Sequence, residues 1–84
     1  MPTPELAPGE YGLVGLPESG YTLKVRSALR YKGVPHRWID RFANNHLYKA
    51  HAQVQLIPLL FLPDGTAMQD STPILEMLEE RFPE

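Results

Sequence analysis

The sequence predicts an α/β domain with a four-stranded mixed sheet, in the order βαβαββα, and helices packed on that sheet. Three observations carry the reading. First, the apolar run at 11–16 and the strand formers at His36–Asp40 flank a helical stripe, which makes a parallel strand pair joined by a right-handed crossover. Second, the apolar run 56–62 is followed by Pro63-Asp64-Gly65 and then Thr66-Ala67-Met68, which reads as an antiparallel hairpin. Third, Ile74, Leu75, Leu78 and Phe82 fall on one face of a closing helix.

Each element has its own local cause. Tyr11-Gly12-Leu13-Val14-Gly15-Leu16 is short, apolar and ended by Pro17, as a buried strand is. Pro17-Glu18-Ser19-Gly20 is a loop by composition. Thr22 can cap the first helix, with Leu23, Val25, Ala28 and Leu29 as its stripe, and Gly33 and Pro35 end it. His36-Arg37-Trp38-Ile39-Asp40 is a strand by propensity. Between residues 44 and 52, Asn44 or Asn45 caps a short helix carrying Leu47, Tyr48 and Ala50, or the segment is irregular. Ser71 or Thr72 caps the last helix, with Pro73 near its first position, and Phe82-Pro83 stops it.

Composition narrows the function classes. Eighty-four residues allow one domain. Residues 1–10, with three prolines, one glycine and two glutamates, read as a disordered leader, so the domain is expected over 11–84. The chain has no cysteine, which removes disulfides, thiolate zinc sites and a CxxC redox pair. A net charge of −2 argues against a nucleic-acid binder. The longest apolar-rich run has seven residues and contains Pro58, against about 20 for a membrane helix. A soluble, cytoplasmic domain is the expectation. Residues 24–41 hold six bases and one acid, and residues 64–84 hold six acids and one base; these are two solvated faces, or an anion-attracting side set against an acidic one. His46 and His51 are five apart, off the face that a helical metal site needs, so no metal is expected.

Three segments together resemble the N-terminal, thioredoxin-like domain of cytosolic glutathione transferases. Ser19-Gly20-Tyr21-Thr22-Leu23-Lys24-Val25-Arg26 looks like the family's loop and first helix. Leu56-Ile57-Pro58-Leu59-Leu60 is similar to its Val-Pro-x-Leu segment, whose proline is cis. Gln69-Asp70-Ser71, with Ile74-Leu75 and Leu78-Glu79-Glu80-Arg81-Phe82-Pro83, looks like its acid–Ser motif and third helix. One departure stands out: Gln55-Leu56 occupies the place of a frequent Gly-Lys, so the base for the glycyl carboxylate must come from elsewhere. An Arg or Lys of the second helix is the alternative, and the sequence singles out neither.

The resemblance implies glutathione as co-substrate and a set of site residues. Ser19, with Tyr21 as competitor, would donate a hydroxyl to the glutathione sulfur; the plain reading of Ser19 is a loop serine bonded to its own backbone, and of Tyr21 packing over the loop. A hydrogen bond to a charged group is worth about 1.5–3 kcal/mol, enough to lower a thiol pKa by about 1–2 units. Ile57 and Pro58 would present the Ile57 backbone to the cysteinyl group, by strand addition; the plain reading is a trans proline opening an edge strand. Gln69, Asp70 and Ser71 would clamp the γ-glutamyl group, a use compatible with a plain helix cap. The resemblance also implies a helical second domain beyond Glu84 that supplies the electrophile's half of the pocket, and a homodimer. The chain alone, as an excised domain or a single-domain relative, would then have little transferase activity. It would also leave an apolar patch on its first and third helices, among Val25, Ala28, Leu29, Leu75 and Leu78. The competing class is a non-catalytic interaction module on the same fold. A glutaredoxin-like reductase is excluded for this chain by the missing cysteine.

Overall fold

The computed structural model describes residues 3–83. Its elements are β1 (Tyr11–Gly15), α1 (Gly20–Tyr31), β2 (His36–Asp40), α2 (Asn45–His51), β3 (Leu59–Phe61), β4 (Ala67–Gln69) and α3 (Ser71–Arg81). The four strands form one sheet in the order β2-β1-β3-β4. β1 pairs with β2 in parallel, and with β3 antiparallel through Leu13 opposite Leu60. β4 completes the antiparallel edge, with Leu60 opposite Met68. This is the thioredoxin-like α/β fold expected from the sequence.

Strand alternation divides the core into two layers. Tyr11, Leu13 and Leu60 point to one face, where α1 and α3 cover them with Val25, Leu29, Ile74 and Leu78. Val14, Leu59 and Phe61 point to the other, where α2 contributes Leu47 and Tyr48. β1 lies between two strands and two layers, so all five of its residues are buried. The apolar patch expected on α1 and α3 is not there. Val25, Leu29 and Leu78 are fully buried, and Ala28 and Leu75 pack against them, because the two helices meet each other as well as the sheet.

The ends of α1 show how tertiary contacts select among local signals. Thr22, expected as the cap, is instead fully buried against Gly15: a Cβ at residue 15 would stand 2.6 Å from Thr22 Oγ1. The cap is Ser19, whose Oγ accepts the Thr22 N–H at 3.2 Å. At the other end Gly33 takes φ 69°, the Val34 N–H donates to the Leu29 carbonyl (2.9 Å) and the Gly33 N–H to that of Arg30 (3.1 Å), a Schellman stop. α3 is likewise capped ahead of both expected residues: Asp70, one residue before Ser71 and two before Thr72, is the N-cap, accepting the Thr72 N–H at 3.4 Å.

The stretch ahead of Tyr11 carries no helix or strand within its described residues, although Leu6 packs on the second core layer and Glu10 pairs with Arg37 at 3.5 Å. Among the described residues no helix is long and apolar enough to cross a membrane.

Candidate functional site

The N-termini of two helices and one irregular loop converge on a cleft of about 320 Å³, lined by Tyr21, Leu56, Ile57, Asp70, Ser71 and Thr72. Four of the residues singled out from the sequence, Tyr21, Ile57, Asp70 and Ser71, therefore share one cavity.

One wall is the start of α3. Ser71 is its first residue and is buried, yet among the described residues its hydroxyl makes no hydrogen bond. The Ser71 N–H is also unbonded among the described residues, and Pro73 offers none. An unbonded hydroxyl facing the cleft and an open N–H at a helix N-terminus form a donor pair suited to a carboxylate. Asp70, next to it, brings a carboxylate to the same wall. Its backbone lies at φ 78°, where a non-glycine residue is held only by its surroundings. An acid and an anion-binding donor on consecutive residues match a ligand whose ammonium and carboxylate share one carbon.

The second wall is the loop 53–57, which leads into β3. The peptide bond between Ile57 and Pro58 is cis, and Pro58 is buried. Among the described residues neither the N–H nor the carbonyl of Ile57 is hydrogen-bonded. The apolar run 56–62 was expected to supply the first strand of the hairpin; the ladder occupies only Leu59–Phe61 of it. The reason is that the loop bonds to side chains. Gln69 Nε2 donates to the carbonyls of Val54 (2.8 Å) and Leu56 (2.9 Å), while its Oε1 accepts from the N–H of Gln53 (2.9 Å) and, more distantly, of Val54 (3.4 Å). The hydroxyl of Tyr48 donates to the Leu56 carbonyl at 2.8 Å, with that of Val54 at 3.2 Å. Arg41 in turn stacks on the Tyr48 ring, 3.8 Å from its centroid.

The third side is the start of α1. Tyr21 is two-thirds exposed and lines the cleft. Ser19 does not line it; its oxygen accepts the Thr22 N–H, which leaves its own O–H free to donate. Gln69 does not line it either, and both faces of its carboxamide are occupied by the loop. Sequence reasoning missed Tyr48, which it placed in the second helix with no role. No local motif marks that role, because the Tyr48 bonds reach six and eight residues ahead and those of Gln69 reach back 13 to 16.

A family model described as glutathione S-transferase, N-terminal domain, matches residues 18–81. Among solved structures, a glutathione S-transferase from Methylobacterium radiotolerans, in complex with glutathione sulfonate, is 31% identical with a TM-score of 0.80 over 89% of this chain and 36% of that one. A glutathione S-transferase from Rhodospirillum rubrum is 29% identical, with a TM-score of 0.77 over 88% of this chain and 34% of the other. A Tau class enzyme from mango, Mangifera indica, is similar in fold, with 22% identity and a TM-score of 0.76 over 92% of this chain and 36% of that one. The chain thus spans little more than a third of the length of the structures it matches. Comparison with curated proteins yields no match.

Proposed function

The chain belongs to the glutathione S-transferase family, as its N-terminal domain, and on that premise we propose that it binds glutathione in the cleft between α1, α3 and the loop 53–57. The observation that carries this reading is the unbonded hydroxyl of the largely buried Ser71 at the start of α3, open to the cleft beside the Asp70 carboxylate and in one cavity with the unpaired backbone of Ile57. In this reading Ser71 and the helix N-terminus hold the γ-glutamyl carboxylate, and Asp70 takes the ammonium group. The N–H and carbonyl of Ile57 pair with the cysteinyl backbone as an added strand would. Gln69 is left without a ligand contact, since its carboxamide is already fully bonded.

Chemistry at the sulfur needs the thiolate, and a free thiol with pKa about 8.5 is only slightly ionised at neutral pH. A hydroxyl that donates to the sulfur stabilises the ionised form. Ser19 suits this role because its oxygen already accepts a backbone N–H and its proton remains available. Tyr21 is the competitor, favoured by its place on the cleft wall. The thiolate would then attack an electrophile held by a helical domain outside this chain. A homodimer and a cytoplasmic location complete the proposal.

Calorimetric titration with glutathione tests it. Ser71→Ala should weaken affinity about ten- to a hundredfold, since a bond to a charged group is worth about 1.5–3 kcal/mol. Ser19→Ala should leave affinity within about threefold, because a neutral thiol contributes little, yet raise the pKa of the bound thiol by about 1–2 units. Equal affinity for Ser71→Ala would remove the clamp. An unchanged thiol pKa in Ser19→Ala, with a raised one in Tyr21→Phe, would transfer the role to Tyr21.

A further inference from the structure

We propose that Gln69 and Tyr48 are positioning residues that aim the Ile57 N–H into the cleft by fixing the Leu56 carbonyl. The inference rests on the glutathione reading for its consequence, but its geometry is independent of any ligand.

The peptide unit is rigid and planar, and in a trans unit the carbonyl and the N–H point in opposite directions. The Leu56 carbonyl and the Ile57 N–H belong to one such unit. Whatever holds the carbonyl sets the direction of the N–H. Two donors converge on that oxygen, Gln69 Nε2 at 2.9 Å and the Tyr48 hydroxyl at 2.8 Å. The same two groups reach the Val54 carbonyl, so the loop is tied at two points. Apart from them, the segment 53–57 is held at its end, where Ile57 packs on the second core layer; it lies outside the ladder, and residues 53–56 are exposed.

Gln69 also joins the two walls of the cleft. It is the last residue of β4, directly before Asp70 and Ser71, so the strand that delivers the carboxylate clamp also carries the side chain that grips the opposite wall. Tyr48 approaches from α2 and is itself sandwiched between the core and the Arg41 guanidinium. A glutamate at 69 would keep the acceptor for the N–H groups of Gln53 and Val54 but would present an oxygen to the two carbonyls. A methionine would fill the space and bond to neither.

Backbone relaxation by NMR on the ligand-free chain tests the latch directly. In Tyr48→Phe, Gln69→Met and Gln69→Glu, the order parameters of Val54 to Ile57 should fall from about 0.85 towards 0.6 or below, while those of β1 and α1 stay unchanged. Unchanged order in that loop would overturn the proposal. The second readout is glutathione affinity. Tyr48→Phe should lose about fivefold and Gln69→Met about tenfold, and the double variant should lose clearly less than the product, because both side chains act on the same carbonyls. Fully multiplicative losses would mean that the two act separately, and would refute a shared latch. If the unaltered chain failed to bind glutathione, the functional reading would fall while the relaxation data still decided the latch.

Discussion

Replacing Asp70 by glycine should make the domain more stable and a poorer binder. Asp70 lies at φ 78°, ψ 125°, a region in which a side chain costs about 1–3 kcal/mol. Asp70→Gly removes the Cβ and with it that cost. Two losses oppose the gain. Glycine adds freedom to the unfolded chain worth about 0.5–1 kcal/mol. The cap bond to the Thr72 N–H also disappears, but at 3.4 Å it is long, and glycine is itself tolerated at an N-cap, so a few tenths of a kcal/mol suffice. The net change runs from about zero to about 2 kcal/mol in favour of the glycine variant. Asp70→Ala is the control. It keeps the Cβ and the strained backbone and loses the cap, at the low end of about 0.5–2 kcal/mol. The glycine variant should therefore exceed the alanine variant by about 1.5 kcal/mol, or about 6–12 °C in Tm for a domain of this size. Urea and thermal unfolding measure the difference, and titration with glutathione should show both variants binding more weakly. A glycine variant no more stable than the alanine variant would refute the strain argument. Greater stability with unchanged affinity would remove Asp70 from recognition.

Two further outcomes follow from single side chains. Thr22 Oγ1 is buried with no hydrogen-bond partner among the described residues, so Thr22→Val, which keeps the shape, should stabilise the fold by about 1 kcal/mol; a loss of stability in thermal unfolding would show that the hydroxyl is bonded. The hydroxyl and N–H of Thr66 hold the Asp64 carboxyl below its ordinary value of 3.8. A carboxyl lowered on folding contributes stability that is complete above its unfolded value and is lost as pH falls through the folded one. The Tm of Asp64→Asn should accordingly fall less between pH 5 and pH 2 than that of the parent chain, and parallel acid limbs would contradict the assignment.

How much of this was legible depends on where each signal lives. The Schellman stop was readable because Gly33 and Pro35 act locally, and so was the hairpin turn, because Pro63-Asp64-Gly65 needs no partner beyond Thr66. β2 was readable from propensity alone. The helix starts were less so. Ser19 and Thr22 are both competent caps, and what chooses between them is the packing of Thr22 on Gly15, a contact between α1 and β1 that no window of sequence contains. The apolar run before β3 misled for a related reason: apolar content marks burial, but Leu56 is half exposed and its carbonyl is taken by side chains from α2 and β4. In the cleft, Tyr21, Ile57, Asp70 and Ser71 could be named from motifs. Gln69 was named with them, as a ligand group; what no motif shows is that its carboxamide makes four bonds to the loop 53–56.

The most direct test of the central claim is to follow the backbone amide shifts of the labelled chain as glutathione is added. Binding in this cleft should move the amides of Tyr21, Ile57 and Ser71, saturate with a single affinity, and leave Arg37, Trp38 and His46, which line a separate cavity, where they were. Shifts confined to that other cavity, or none at any of the three cleft amides, would contradict the account.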